Sequence, residues 1–164
     1  MEPEDSSDLE VLLQMNWELH HRYTGENIFH VIARLGWLKT LYTFNVLIDE
    51  EIKSWLQMQD KKGDTCVHIA AYRNRGQQAI QLIEKLVDYG ADLNARRQYH
   101  GDTVLDIAMQ RRDYELAVWL CKQPSINLQT EKYFQHVAHQ VALEESHEKK
   151  MKILETHMMQ LFKK

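Results

Sequence analysis

Apolar residues recur along this chain at the spacing of one helical face. Before Gly90, the residues Ile80, Ile83, Leu86 and Val87 fall at i, i+3, i+6 and i+7, which predicts an amphipathic helix packed against its neighbours. A glycine that directly follows such a stripe is typical of a left-handed helix end. The pattern therefore predicts an all-α fold.

A similar stripe is found near the N-terminus. Residues 7–10 match a capping box, in which Ser7 and Glu10 satisfy each other's free amides at the start of a helix. The apolar residues that share one face of this helix are Leu9, Leu12, Leu13 and Trp17. We predict a helix that caps the open end of the domain, and an amphipathic helix that binds a partner is the alternative.

The motif around these helices is repeated with a fixed period. Gly25, Gly63 and Gly101 are separated by 38 residues each. Two further sets of positions keep the same interval, namely Asn27, Thr65 and Thr103, and His30, His68 and Asp106. Self-similarity at such a period indicates stacked repeats, each of which buries its apolar face against the next.

The second copy of the motif resembles an ankyrin repeat. Residues 63–71 read GDTCVHIAA, and residues 89–94 read YGADLN. The resemblance implies a solenoid of about four helix-pair repeats, and it implies that His30 and His68 bond within the turn rather than to a metal. The expected boundaries are 1–23 for an acidic tail and the capping helix, 24–60, 61–98, 99–132 and 133–158 for the repeats, and 159–164 for a basic tail.

The copies differ from one another in completeness and length. In the first, Asn27 and Ile28 replace the Thr and Pro of the ankyrin pattern. A long apolar helix from about Trp37 to Met58 is expected to follow, extended or broken near Asp49. In the second copy, residues 73–78 are predicted to form a loop between the paired helices that holds the excess length.

Composition limits the classes of function. The chain has 164 residues, 44% of them hydrophobic, and a net charge of −4, which suits one soluble domain and favours neither nucleic acid nor membrane. No apolar run reaches the roughly 20 residues that span a membrane, and the first ten residues hold five acids and no base, unlike a signal peptide. Cys66 and Cys121 are expected to be free buried thiols in a reducing compartment.

The sequence contains no catalytic motif. His136 and His139 are one helical turn apart, as zinc ligands often are, but no Cys or further His at motif spacing completes a site, and His20 and His21 have no partner either. No glycine-rich phosphate loop or nucleophile motif is present. We therefore expect a protein that is not an enzyme, holds no metal or cofactor, has no small-molecule substrate and acts by recognition.

Ankyrin-like stacks bind through the turns between repeats and through the exposed positions of the inner helices. In this register, the candidates combine Arg and Tyr, which are favoured at interfaces, with other polar side chains. They are Tyr72, Arg73, Arg96, Arg97, Tyr99, His100, Gln110 and Arg111. We expect residues 96–100 to form a projecting tip. For each residue alone, a merely solvated surface is the alternative.

Details of the turns narrow the resemblance. Residues 92–103 hold one residue more than the common ankyrin spacing, as in later repeats of IκB proteins. Residues 24 to about 158 are most similar to the IκB-like ankyrin proteins of polydnaviruses. This implies a partner in the cytoplasm or nucleus of the host cell, a Rel/NF-κB protein whose nuclear entry or DNA binding would be blocked to suppress immune genes. A general ankyrin adaptor for another signalling or apoptosis protein is the alternative.

The resemblance also implies a difference in regulation. Cellular IκB proteins are destroyed through a phosphorylated Asp-Ser-Gly-x-x-Ser element and nearby lysines. Here the nearest match, residues 5–10, has Ser7 where that element needs Gly and Glu10 where it needs Ser, and no lysine precedes Lys39. We expect inhibition that persists during signalling.

Overall fold

The computed structural model describes residues 14, 17–44, 49–127, 155–156 and 159, and these ranges contain helices and no strand. The helices are α1 (Trp17–Thr24), α2 (Ile28–Leu35), α3 (Leu38–Thr43), α4 (Glu50–Gln57), α5 (Cys66–Arg73), α6 (Gly76–Tyr89), α7 (Val104–Gln110) and α8 (Tyr114–Cys121). The predicted all-α class is confirmed.

The helices stack in two layers. In the first layer, α5 packs against both α2 and α7. In the second layer, α6 packs against α3, α4 and α8. The pairs α2 and α3, α5 and α6, and α7 and α8 each connect the two layers within one repeat.

The core lies between these layers and runs through all three described repeats. Its largest fully buried side chains are Ile28, Phe29, Ile32, Leu41, Phe44, Leu56, Leu82, Ile83, Leu86, Leu105, Ile107 and Met109. The stripe predicted before Gly90 faces this core, with Ile80, Ile83 and Leu86 buried and Val87 packed at its edge. Each repeat thus completes the burial of its neighbour.

The predicted long helix of the first repeat is broken near Asp49. Helix α3 ends at Thr43, and α4 begins after Asp49, whose side chain accepts a hydrogen bond from the Ile52 amide at 2.8 Å. This carboxylate caps the new helix. Residues 45–48 lie outside the described residues.

The prediction of a loop at residues 73–78 is wrong. Only Asn74 and Arg75 separate α5 from α6, and residues 76–78 form the first turn of α6. Asn74 is buried, and its amide group donates to the carbonyl oxygens of Ala33 at 2.9 Å and Ala70 at 3.0 Å. These bonds close a tight connection, and α6 extends over 14 residues.

Several predictions fall on residues outside the described ranges. They are the helix start at Ser7, the fourth repeat at 133–158 with His136 and His139, of which only residues 155–156 are described, and the basic tail at 159–164, of which only residue 159 is described. These stay predictions. Within the predicted N-terminal segment, the helix that the structure describes is α1. In the described part of the chain, no helix has the length and apolar character needed to cross a membrane.

Candidate partner-binding face

The turns that precede α2, α5 and α7 share one backbone conformation. Their glycines have left-handed φ angles of +72° at Gly25, +79° at Gly63 and +70° at Gly101, which disfavour any residue with a side chain. The Lys61 amide donates to the Thr24 carbonyl at 3.0 Å, and the Gln98 amide donates to the Gly63 carbonyl at 3.0 Å. Neighbouring turns are therefore joined along one edge of the stack.

His68 connects the second turn to the third. Its Nδ1 accepts the Thr65 amide at 3.1 Å and lies 2.9 Å from the Thr65 hydroxyl oxygen. Since Nδ1 accepts, Nε2 carries the proton, and it donates to the carbonyl of Ala95 at 2.9 Å. Burial lowers the pKa of this imidazole, which keeps the ring neutral.

The equivalent positions in the other turns differ in their chemistry. His30 repeats the arrangement, because Nδ1 accepts the Asn27 amide at 3.0 Å and Nε2 donates to the Asp64 carbonyl at 3.1 Å. Asp106 accepts the amide and hydroxyl of Thr103 at 2.8 Å and 3.0 Å. All three positions thus cap helices, and among the described residues no group of three or more His, Cys, Asp and Glu side chains could hold a metal.

Arg97 does not project from its turn, contrary to the prediction. Its Nε forms an ion pair with Asp64, Nη1 donates to the Tyr72 hydroxyl at 2.9 Å, and the guanidinium carbon lies 5.0 Å from the Tyr72 ring centre. The side chains of Arg97 and Asp64 are only 12% and 8% exposed. Arg97 therefore connects the third turn to the second repeat through a charge-assisted contact.

Arg111 is also engaged within the stack. Its Nη1 donates to the main-chain oxygens of Ala71 at 2.6 Å, of Asn74 at 3.1 Å and of Tyr72. The last carbonyls of a helix lack intrahelical partners and attract positive charge. Arg111 thus caps the end of α5 from the next repeat, so the prediction that it is an exposed inner-helix residue is wrong.

The other predicted residues lie on the surface. Arg73, Arg96, Tyr99, His100 and Gln110 are exposed, and Tyr72 is half-buried beneath Arg97. Sequence reasoning missed Tyr23, which precedes its turn glycine by two residues as Tyr99 does. Tyr23 is 76% exposed and Tyr99 66%. The period of 38 residues was the signal that could have found Tyr23.

A groove of about 640 Å³ lies beside the first two turns. Tyr72 and Arg73 line it from α5, and Tyr23 lines it from the end of α1. Lys61 and Lys62, which sequence reasoning also missed, complete one side from the second turn. We use the name turn face for this groove together with the exposed turn residues Arg96, Tyr99 and His100.

Comparison with known proteins identifies the repeats. A family model for ankyrin repeats (3 copies) matches residues 30–132. Over nearly its full length, the chain is similar to I-Kappa-B like protein N3 of Microplitis demolitor bracovirus (isolate Webb), with 69% identity over 163 residues that cover 99% of this chain and 100% of the relative. The chain belongs to the IκB-like ankyrin-repeat proteins.

Other IκB-like ankyrin-repeat proteins of the same virus are also similar. I-kappa-B like protein N2 is 51% identical over 160 residues, which cover 96% of this chain and 87% of the relative. I-Kappa-B like protein N1 is 40% identical over 104 residues, which cover 63% and 75%. The predicted ankyrin and viral IκB-like assignments are confirmed, and the family is one of scaffolds for protein interaction.

The cysteines of this IκB-like protein are free and buried, as predicted. Burial raises the pKa of the Cys66 thiol and of the Cys121 thiol to about 12. Because the thiolate is the reactive form, neither side chain is a nucleophile near neutral pH.

Proposed function

We propose that this protein binds a host Rel/NF-κB protein and blocks its nuclear entry or DNA binding, in the cytoplasm or nucleus of the host cell. The observation that carries the proposal is the 69% identity, over nearly the full length, to a bracovirus protein named I-kappa-B like. Suppression of host immune genes is the consequence that we infer.

The turn face supports this proposal because it is both exposed and held in place. Arg73 and Arg96 offer guanidinium donors, and Tyr23 and Tyr99 offer rings that are largely open to solvent. The backbone hydrogen bonds between neighbouring turns and the His68 contact hold these side chains on a fixed framework. A pre-ordered surface loses less entropy when it binds a partner.

A pull-down from insect cell extract at low salt tests the partner. We expect the wild-type protein to recover a Rel protein, and Arg96→Ala/Tyr99→Ala to recover at least about tenfold less. Lys39→Ala/Tyr42→Ala is the matched control, since it also removes one exposed base and one exposed tyrosine, from α3. Recovery of another protein and no Rel subunit would favour the general adaptor for a signalling or apoptosis protein.

We also propose that the inhibition is insensitive to the signal that removes cellular IκB proteins. Ser7 and Glu10 interrupt the phosphorylation element within residues 5–10. A protein that holds Rel but is not removed keeps the complex formed by mass action. Its half-life in immune-stimulated insect cells tests this, and loss as fast as that of the host's own IκB would refute it.

A further inference from the structure

Two of the three acidic side chains that line the groove of the turn face form ion pairs with arginines of the same chain. Glu26 is nearly buried and accepts a hydrogen bond from Arg34 Nε at 3.2 Å. Asp64 is buried and paired with Arg97. Each of these carboxylates already faces a guanidinium, so each pair has no net charge and repels an anion at the groove less than a lone carboxylate would.

The remaining acid of the groove closes the second turn. Asp60 is half-buried, and its Oδ1 accepts the amides of Lys62 at 2.9 Å and Asp64 at 3.0 Å. Two amide donors offset part of its negative charge. Asp60 therefore shapes the turn that carries the basic side chains.

The basic side chains of the groove, in contrast, reach solvent. Lys61, Lys62 and Arg73 are exposed and line it together. Within the part of the chain that the structure describes, none of them pairs with a carboxylate, and the Lys61 ammonium donates to the Arg22 carbonyl. Arg96 is exposed on the next turn. The protein as a whole carries a charge of −4, so the sign of the charge is reversed at this groove.

We propose that the groove binds an acidic, extended segment of a protein partner. Carboxylates would pair with Lys62 and Arg73 at the rim, where complementary charge guides association and sets specificity. Tyr72, half-buried, and Ile69, buried, also line the groove. The inference rests on the proposed function only in so far as the partner is a protein.

A protein segment fits this surface better than a nucleic acid does. Binding to a phosphate backbone draws on a basic stripe and a basic domain, and here the net charge is −4. The exposed bases that line the groove are confined to the second turn, with Lys61 and Lys62, and the end of α5, with Arg73. Nucleic acid is therefore the competing outcome in the test.

Fluorescence anisotropy with the full chain provides the test. The probes are a fluorescein-labelled peptide in which Glu alternates with Ser, its counterpart in which Lys replaces Glu, and a labelled oligothymidylate. We expect the Glu peptide to bind most tightly, with an affinity that falls as salt is raised. Equal or tighter binding of the Lys peptide or the oligothymidylate overturns the inference, as does no binding of the Glu peptide.

Two charge-reversal variants locate the binding. Lys62→Glu/Arg73→Glu should weaken Glu-peptide binding by about tenfold or more. Lys39→Glu/Lys122→Glu changes the net charge equally at exposed sites outside the groove and should leave the affinity within about twofold. Equal losses in both variants overturn the inference. If the reversed groove variant does not fold by circular dichroism, Lys62→Ala/Arg73→Ala takes its place with the same expected direction.

The pull-down of Rel separates this inference from the proposed function. Glu-peptide binding that depends on Lys62 and Arg73, together with no recovery of Rel, refutes the Rel assignment and leaves the acidic specificity standing. Recovery of Rel by a protein that does not bind the Glu peptide refutes the acidic specificity alone.

Discussion

The second and third turns use equivalent residues for different purposes. In the second, His68 accepts the Thr65 amide and donates to the Ala95 carbonyl of the next turn. In the third, Asp106 accepts from Thr103, but a carboxylate has no proton to donate onward. Every repeat needs a helix cap, whereas a bond to the following turn needs a donor. The choice between His and Asp separates these two tasks.

The turn glycines show the same difference. A Cβ added at Gly63 would lie 2.7 Å from Gln98 Cβ and 3.0 Å from Gln98 N. At Gly101, a Cβ would meet no described atom within 4 Å. Glycine is therefore required at position 63 for two reasons, the left-handed backbone angle and the close approach of the neighbouring turn. At position 101, the described structure gives only the first reason.

The largest expected effect follows from breaking the contact of the third turn with the second repeat. Arg97→Ala leaves the Asp64 carboxylate, 8% exposed, without its guanidinium, and an uncompensated buried charge costs about 3–5 kcal/mol. Arg96→Ala is the control, because Arg96 is exposed in the same turn and its loss should cost less than about 0.5 kcal/mol. Urea unfolding measures both. Equal midpoints would contradict the structural role of Arg97.

Gly63→Ala should be the next most destabilising change. The φ of +79° and the 2.7 Å approach to Gln98 act together, so we expect a loss of roughly 2–4 kcal/mol. Gly101→Ala has the same backbone penalty alone and should lose about 1–2 kcal/mol. Thermal melts of the two variants test the ranking, which a larger loss at Gly101 would reverse.

Gly90→Ala isolates the backbone penalty at a helix end away from the turns. Gly90 has φ +119° at the end of α6, and the nearest atom to an added Cβ is Lys53 Cγ at 3.9 Å. We expect a loss of about 1–2 kcal/mol in a thermal melt. Asp88→Ala, at an exposed site in the last turn of the same helix, is the control. An unchanged midpoint for Gly90→Ala would count against the left-handed helix end.

The smallest expected effect is a pH dependence to which the two His-bearing turns contribute. Burial lowers the pKa values of His30 and His68 from 6.5, so below pH 6.5 these two imidazoles bind more protons in the unfolded chain than in the folded chain. The free energy of unfolding should be highest above pH 6.5 and fall as the pH drops below it. Urea unfolding across this range measures the slope.

His68→Asp sharpens this fourth prediction by giving the second turn the residue type of the third. Asp can retain the cap on the Thr65 amide, as Asp106 does on Thr103, but it removes one buried imidazole and the donor to Ala95. We expect lower stability at neutral pH and a weaker pH dependence between pH 7 and about pH 5.5. An unchanged slope would assign the effect to other groups.

Sequence alone determined the features that depend on bonds within a few residues. Caps link positions three residues apart, such as Thr65 and His68 or Thr103 and Asp106, and left-handed ends require glycine at places such as Gly90. These local requirements recur in each copy of the motif. Hence the period, the all-α class and the ankyrin family could be predicted, whereas the start of α6 at Gly76 could not.

Only the tertiary structure decided which basic side chains are available to a partner. Arg97 pairs with Asp64, which is 33 residues away in the sequence, and Arg111 donates a hydrogen bond to the Ala71 carbonyl, which is 40 residues away. Arg96 and Arg73, which look the same in the sequence, stay exposed. The residue type determines the charge of a side chain, but the burial and pairing of that side chain depend on which turns the stacked helices bring together.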